Sequence, residues 1–460
     1  MEETAQQKKM ATMPVNKLML SMGIPIILSM MLQALYNIVD SAFVSNMAEN
    51  GEEALNALTL AFPVQILIVA VGVGTGVGVN ALLSKALGQK DYEKANRVAG
   101  NAYFVTFLIY IACVLFGLFG VKAYIGSQTS NELILTMGVQ YLRICCTVSF
   151  GMLFFAVFEK VIQSTGRSLF STIAQILGAV TNIVMDPILI YGLGFFPKLG
   201  VRGAALATII GQIVSFTVAL IFHVKYDKEI KNGLRYMKPS KKIIGEIYSI
   251  GLPAIIAQAL ISIMTYGLNL ILVRVGENMV TAYGLFYKIQ QFILFAAFGL
   301  RDTITPVVSF SHGMRNKSRI KDGIKYGIIY SVVIILIGAV FLELCASPLC
   351  GVFGLSGETQ AICISAMRII SISFVFAGAS IAFQGIFQAI DCGMQSLVIS
   401  LCRQLIFVLP VAWMFVRMIV TSGAAVSLVW WTFPIVEVIT AVIGIFLLRS
   451  GYQKKVAHLS

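Results

Sequence analysis

From Leu18 to Asp40 the chain reads LMLSMGIPIILSMMLQALYNIVD. This run carries no charge before its last residue, and a helix of this length crosses a hydrocarbon core of about 30 Å. Similar apolar runs recur as far as Leu448 and predict about twelve transmembrane helices. Composition agrees, because 58% of the residues are hydrophobic and 12% are charged, whereas about a quarter of a soluble domain is charged. We therefore expect an all-α membrane protein.

The same run contains the start of an internal repeat. Gly23-Ile-Pro25 matches Gly251-Leu-Pro253 at an offset of 228 residues. Five further pairs share an offset of 225: Gln65 and Gln290, Gly88 and Gly313, Arg143 and Arg368, Phe158 and Phe383, and Gln163 and Gln388. Each half holds an even number of spans, so both copies have the same orientation in the membrane. The repeat predicts two six-helix bundles related by a parallel pseudo-two-fold axis.

The longest polar segment lies near the middle of the chain and divides it into these halves. We assign 1–16 to an N-terminal tail, 17–225 to the N-terminal lobe, 226–242 to a linker, 243–449 to the C-terminal lobe and 450–460 to a C-terminal tail. Transporters built from parallel repeats bind substrate between the halves and alternate access by rocking one half against the other.

The formal net charge of +13 would suggest a nucleic acid partner for a soluble protein. In this chain the basic residues cluster in the short segments between spans, and we count Arg403 among them. By the positive-inside rule these segments face the cytoplasm. We therefore expect a multi-pass protein of the cell (plasma) membrane with both termini cytoplasmic, surrounded by membrane lipids, and no nucleic acid partner.

Two acidic residues stand out inside the apolar spans. Asp40 ends the quoted run, and Asp186 lies in the fifth span. An ionisable side chain at the bilayer centre costs at least about 2.5 kcal/mol, so such residues are candidates for function. Residues four apart are neighbours on a helix, which places Tyr36 beside Asp40 and Asn182 beside Asp186.

Two carboxylates in a poorly hydrated pocket cannot both stay ionised at low cost, so one of them should bind a proton near neutral pH. Alternatively, the pair shares a sodium ion, or each acid caps a helix end or pairs with an arginine. The matching positions of the second half are apolar: Leu268, Phe407 and Val411. We therefore expect the polar pocket in the first half alone.

At these residues the chain resembles the multidrug and toxic compound extrusion (MATE) transporters over nearly its whole length. The motifs that carry the resemblance are Gly23-Ile-Pro25, the series Gln33, Tyr36 and Asp40, the Gly88-Gln89-Lys90 turn, Gln163-Ser-Thr-Gly166, Asn182 with Asp186, and Gly203-Ala-Ala-Leu-Ala-Thr208. The resemblance implies outward antiport of small amphipathic organic cations against protons or sodium. It implies no cofactor besides that coupling ion, and we expect a monomer.

Carried over position by position, the resemblance implies a cation-coupling site. Its residues are Asp40, Asn182, Asp186, Thr208, Tyr36 and Gln33, and any Na⁺ would lie at Asp40 and Asp186. It also implies a helix bend at Pro25, where proline removes a backbone hydrogen bond; a static kink is the alternative. The seventh span, 251–273, holds no Asp or Glu, unlike that of some sodium-coupled members, which favours protons.

Most of the remaining unusual charges lie in the second half of the chain. Arg301 and Asp302, in the eighth span, predict either an internal salt bridge or a contact to substrate or a gate. Glu437 is a weaker candidate, as are Glu159, Glu343 and Asp391.

Other functions fit the sequence less well. A lipid or oligosaccharide flippase of the same superfamily would need a more cationic cavity for phosphate. A major-facilitator transporter also has six plus six spans, but the turn after the second span here reads GQKDYEK rather than Gly-x-x-x-Asp-Arg-x-Gly. No nucleophile, metal cluster or paired catalytic set is evident, so we expect no enzyme activity, no catalytic residues and no other metal site.

Overall fold

The computed structural model describes residues 4–45, 47, 51–194, 196–352 and 357–459. Within helices, the side chains of 36–38, 40–42, 45, 51, 52, 55, 351 and 352 lie outside this description. All regular structure in the described ranges is helical, and they contain no strand. This is the expected result for a chain in lipid, because a helix satisfies its own backbone hydrogen bonds.

The first half of the chain is a series of long helices joined by short turns. In order they are α1 (Ala5–Thr12), α2 (Val15–Ser45), α3 (Gly51–Gly88), α4 (Tyr92–Leu115), α5 (Val121–Gly126), α6 (Glu132–Thr147), α7 (Phe150–Ser164), α8 (Ser168–Tyr191) and α9 (Val201–Tyr226). A π-helical turn at Phe116–Gly120 joins α4 to α5. A 3₁₀ turn, Leu234–Met237, lies in the segment that follows α9.

The second half has the same organisation. Its helices are α10 (Lys241–Leu272), α11 (Glu277–Gly313), α12 (Lys317–Val352), α13 (Gly357–Ser371), α14 (Phe374–Ala389), α15 (Gly393–Leu401), α16 (Val408–Ser422) and α17 (Thr432–Lys455). A π-helical turn at Cys402–Ile406 joins α15 to α16, and a 3₁₀ turn at Val426–Trp431 leads into α17.

In the described part of the chain, ten helical segments are long and apolar enough to cross a membrane. Two bent pairs also qualify: α6 with α7, bent by 44°, and α13 with α14, bent by 56°. Counted as one span each, they bring the number to twelve. The predicted fold class, an all-α membrane protein of about twelve helices in two repeated halves, is confirmed.

The internal repeat found in the sequence extends to the helix boundaries. α4 and α12, α6 and α13, and α8 and α15 each begin 225 residues apart, and α3 and α11 end 225 residues apart. The bent pair occurs at the same place in both halves. Each half therefore follows the same plan down to its broken span.

By packing, the chain divides into two compact units. The first comprises the residues up to Met13 together with Leu28–Ile255, and the second comprises Pro14–Ile27 together with the residues from Ile256 onwards. These units cut α2 and α10 within the helix, whereas the predicted lobes divide the chain by whole spans. The lobe, linker and tail boundaries therefore stay predictions.

A matched pair of glycines packs the divided helices within these units. In the first unit, a Cβ on Gly74 of α3 would lie 2.7 Å from the backbone nitrogen of Ile255 in α10. In the second unit, a Cβ on Gly299 of α11 would lie 2.8 Å from Cα of Ile27 in α2. These contacts correspond under the repeat, so the start of α2 and the start of α10 are held in the same way.

Helices α8 and α9, which carry part of the predicted site, also pack through small residues. A Cβ on Gly178 would lie 2.5 Å from the carbonyl oxygen of Gly211 and would overlap the hydroxyl of Ser215. Small residues let transmembrane helices approach closely and gain van der Waals contact. The α8–α9 pair therefore has no room for a larger side chain at Gly178.

We predict that Gly178→Ala lowers the free energy of unfolding by about 1–3 kcal/mol, because the added methyl group overpacks a backbone contact. Gly245→Ala is the matched control, because Gly245 lies in α10 and a Cβ there would meet nothing within 4 Å. Alanine at this position should raise the free energy of unfolding by about 0.5–1 kcal/mol, since it favours the helix more than glycine does. Denaturation of the purified protein in detergent measures both changes. Equal stability of the two variants would contradict the close α8–α9 contact.

Candidate functional site

Asp186 and Asn182 lie together on the buried side of α8. Asp186 is 0% exposed and Asn182 is 3% exposed. Nδ2 of Asn182 donates to Oδ1 of Asp186 at 3.5 Å, a long hydrogen bond between residues one helical turn apart. The predicted pairing of these two side chains is therefore present, and it lies inside the first unit.

The amide of Asn182 has an unused acceptor. Its Oδ1 atom is buried and has no hydrogen-bond partner among the described residues. A buried acceptor without a donor is destabilising and is uncommon in native proteins, so it indicates a place for a bound partner. Amide and carboxylate oxygens together suit either a bound proton or a small hard cation, because both require oxygen lone pairs.

The sequence of α9 accounts for the burial of the pair. A stripe of small residues faces α8: Gly211 lies against Asn182, and Gly203 lies against Leu189. Ala207 lies between these two positions on the stripe, at the level of Asp186, and is fully buried. The stripe brings α9 close enough to cover the carboxylate.

Thr208, by contrast, is half-buried. It follows Ala207 and is therefore turned by about 100° from the stripe that faces α8. Its side chain is therefore not on the stripe of small residues, and its role in the predicted site stays a prediction.

The remaining first-half residues lie on α2. The side chains of Asp40 and Tyr36 fall outside the described residues, and Gln33 is half-buried. Pro25 lies inside α2, which continues on both sides of it. The coupling role of these residues and the bend at Pro25 stay predictions.

Described contacts do join α2 to α8 within the first unit. The hydroxyl of Tyr191 donates to the carbonyl oxygen of Phe43 at 2.7 Å, and the two rings pack edge to face with centroids 6.3 Å apart. At about 1.5 Å rise per residue, Asp40 precedes Phe43 by about 4.5 Å of helix and Asp186 precedes Tyr191 by about 7.5 Å. Spans one and five of an alternating chain run in the same direction, so the two acidic positions lie at similar depths.

Arg301 and Asp302 pair with each other on α11. Nε and Nη2 of Arg301 donate to Oδ1 of Asp302 at 2.9 and 2.8 Å, and Asp302 is 3% exposed. The guanidinium also lies over the ring of Phe298, 5.0 Å from its centroid. This geometry is that of the internal salt bridge, which was one of the two interpretations that the sequence allowed.

The second unit contains a polar cavity that the sequence analysis did not expect. It has a volume of about 50 Å³, whereas a water molecule needs about 10–15 Å³ by the same measure. Its polar lining residues are Tyr287, Gln290, Gln291, Arg403, Gln404 and Glu437. The prediction of a polar pocket in the first half alone is therefore wrong.

Two charged residues of this cavity form a buried ion pair. Nε of Arg403 donates to Oε1 of Glu437, and the two residues are 8% and 7% exposed. Arg403 lies in the π-helical turn inside the span Gly393–Ser422, so its assignment to a cytoplasmic segment is wrong. The sequence did contain a signal for this position. All residues from 392 to 416 except Arg403 are uncharged, so Arg403 lies in the middle of an apolar run rather than at its end.

A separate ionic cluster lies at one end of the first unit. Nδ1 of His223 is 2.9 Å from Oδ2 of Asp227, and Arg167 pairs with both Asp227 and Glu229 at 3.2 and 2.8 Å. The hydroxyl of Thr4, which caps α1, donates to Glu229. This cluster fixes the N-terminal helix to the rest of its unit, and its charges are used within the protein.

No cluster of three or more His, Cys, Asp or Glu side chains is placed to hold a metal ion within the described residues. The side chain of Asp40 lies outside that set. A sodium site at Asp40 and Asp186 therefore stays a prediction.

A family model described as MatE matches residues 25–188 and 253–414, more than half of the chain. The chain is 24% identical over 448 residues to the multidrug export protein MepA of Staphylococcus saprophyticus, covering 97% of this chain and 96% of that protein. It is 26% identical over 450 residues to the protein of the same name from Staphylococcus aureus, covering 95% of each.

Solved structures match over almost the full length as well. A crystal structure described as MATE in the straight conformation gives a TM-score of 0.91 at 26% identity, covering 98% of this chain and 99% of that chain. A MOP superfamily transporter from Pyrococcus furiosus gives 0.89 at 27% identity, covering 99% and 100%. These similarities extend over both halves of the repeat.

We predict that Glu437→Gln alone lowers the free energy of unfolding by about 3–5 kcal/mol, because it leaves the buried Arg403 without its counter-ion. The double variant Arg403→Met/Glu437→Met should recover most of this loss, since it removes both charges. Denaturation in detergent measures the cycle, with Glu343→Gln, at an exposed carboxylate of α12, as the control. If Glu437→Gln were as stable as the unmodified protein, that result would contradict the buried ion pair.

Proposed function

The chain belongs to the multidrug and toxic compound extrusion (MATE) family, and we propose that it is a secondary active multidrug efflux antiporter. It exports small amphipathic organic cations in exchange for protons, or for sodium, by rocking alternating access. The relatives named multidrug export proteins support the export of drugs, and organic cations are the substrates that the family resemblance implies. The duplicated plan supports the mechanism, because parallel-repeat transporters work by the movement of one half against the other.

The observation that carries the proposal is the buried carboxylate of Asp186. It lies inside a membrane-spanning helix at 0% exposure, with the amide of Asn182 one turn away. A carboxylate in this setting is costly, and such residues mark ion and proton pathways in transporters. Asp186 is therefore a group that can hold a proton or a cation in one state and lose it in another.

Asp40 is the proposed second carboxylate of this site. Its support comes from the contact between Phe43 and Tyr191, which joins the neighbouring turns of α2 and α8. Two acids at similar depth disfavour each other's ionisation, which makes one of them a better proton acceptor. Tyr36, Gln33 and Thr208 would line the same site.

Exchange follows if proton binding and substrate binding favour different conformations. A ligand shifts a conformational equilibrium only by its difference in affinity for the two states. Protonation of the carboxylates would favour the conformation with the lower affinity for the substrate, so proton uptake would promote substrate release. Linkage is reciprocal, so substrate binding would promote proton release by the same factor.

Pro25 is the proposed bend point of α2. A proline inside a helix leaves the carbonyl four residues earlier without its usual donor. In α2 that carbonyl belongs to Ser21. A helix weakened at this turn can bend at lower cost than its neighbours, which would let the state of Asp40 affect the start of α2.

The proposal also includes the setting of the protein. It would lie in the cell (plasma) membrane as a monomer among membrane lipids, with both termini in the cytoplasm, because the ends rich in Lys and Arg face inward. The lobes at 17–225 and 243–449 and the linker at 226–242 would be the moving parts and their connection.

We predict that Asp40→Asn and Asp186→Asn each abolish substrate-driven proton release from proteoliposomes. Asparagine keeps the shape of aspartate and one acceptor oxygen, but it cannot gain or lose a proton. Glu358→Gln is the matched control, since it neutralises an exposed carboxylate in the first turn of α13, and it should transport normally. If both Asp variants couple as well as the control does, the coupling site lies elsewhere.

The coupling ion is tested by imposing one gradient at a time. Proteoliposomes with a pH gradient alone should accumulate a fluorescent organic cation, and those with a sodium gradient alone should not, because no acid lies in 251–273. Dissipating the pH gradient with a protonophore should stop uptake. Uptake driven by a sodium gradient without a pH gradient would show that sodium, and not the proton, is the coupling ion.

A further inference from the structure

The cavity of the second unit has two acceptor oxygens without a donor in the part of the chain that the structure describes. Oε1 of Glu437 accepts from Arg403, but Oε2 of Glu437 is buried without a hydrogen-bond partner among the described residues. Oε1 of Gln404 is also buried and has no hydrogen-bond partner among the described residues. Both residues line the cavity and are 7% and 8% exposed. Buried acceptors in a native protein are almost always paired, so two at one cavity indicate a missing donor.

We propose that this cavity binds the protonated nitrogen of an organic ammonium substrate. The N–H groups donate to Oε2 of Glu437 and Oε1 of Gln404, and the cavity is several times larger than one water molecule needs. Aromatic rings also line it, among them Phe298 and Phe433, and ring faces attract organic cations. The identification of the ligand as a substrate rests on the proposed export function.

Arg403 has a definite part in this site. Its guanidinium occupies one carboxylate oxygen of Glu437, and a carboxylate has about four acceptor positions, so the other oxygen is left for the ligand. Arg403 and Glu437 are the only charged residues among those that line the cavity in the described chain. The guanidinium therefore also limits the attraction of the site for a second positive charge, which favours monovalent ligands and allows release.

This site is chemically distinct from the proposed coupling site. Asn182 and Asp186 belong to the first unit, whereas every residue that lines the cavity belongs to the second. The substrate headgroup and the coupling ion would then occupy different units. Loss of one function need not remove the other.

The test compares two probes that differ in their N–H groups. Benzylmethylammonium carries two N–H groups, one for each acceptor, and benzyltrimethylammonium carries none, and both are monovalent cations. Equilibrium dialysis against the purified full-length protein should show the first binding about tenfold more tightly, since a hydrogen bond to a charged group is worth at least that factor. Equal binding of the two probes would overturn the proposal.

Gln404→Met is the sharpest variant. Methionine has a similar length to glutamine, and it leaves the ion pair intact. The substitution removes an acceptor that has no donor, so the midpoint temperature of unfolding without ligand should stay the same or rise. The preference for the N–H probe should fall several-fold, because one of its two acceptors is lost while Glu437 keeps the other. Gln395→Met makes the same change on α15, outside the residues that line the cavity, and should keep the preference. A Gln404→Met protein that folds and keeps the full preference would refute the site.

Two further measurements distinguish the ammonium site from the coupling site and from a site for an alkali ion. Asp186→Asn should lose proton coupling but keep the N–H preference, so failure of the export mechanism and failure of this site give different results. Sodium chloride, compared with choline chloride at equal ionic strength, should not displace the N–H probe. Displacement by sodium would assign the cavity to an alkali ion and overturn the proposal.

Discussion

A hydrocarbon core offers no water to a backbone amide or to a charged side chain, and the rest of this structure depends on that constraint. The backbone is satisfied by helices throughout the described chain. Buried charges are satisfied by each other, as in the pair of Arg403 with Glu437 and the pair of Arg301 with Asp302. Where an acceptor lacks a donor among the described residues, as at Asn182, the same constraint supports the proposed site there.

The same constraint changes how the helices hold together. Because lipid is as apolar as leucine, association depends on close contact rather than on removal of surface from water. Glycines allow the helices to approach this closely, as at the contact of Gly178 with Gly211 and at the matched contacts of Gly74 and Gly299. Close packing of α8 and α9 also buries Asp186, so the architecture that stabilises the first unit creates its candidate site.

The two halves share a plan but differ in polar chemistry. Leu268, Phe407 and Val411, which match the first-half polar positions, pack in or against an apolar core in the second unit. The second unit instead has an ion pair and glutamines, contributed by three of its spans around a π-helical turn. A π-turn inserts a residue into the helix and is frequent at functional sites. A duplicated fold can thus carry different ligand chemistry in each copy.

By itself the sequence determined the spans, the repeat and the pairing of Asn182 with Asp186, because each of these is a local periodicity. It misplaced Arg403 and underrated Glu437, since an ion pair between residues 34 apart depends on which faces of α15–α16 and α17 meet. Only the tertiary structure decided that contact, along with the cavity it borders and the small-residue stripe that covers Asp186. The packing of helices against each other decides which side chains meet, and the hydrophobic periodicity of a single segment does not predict that packing.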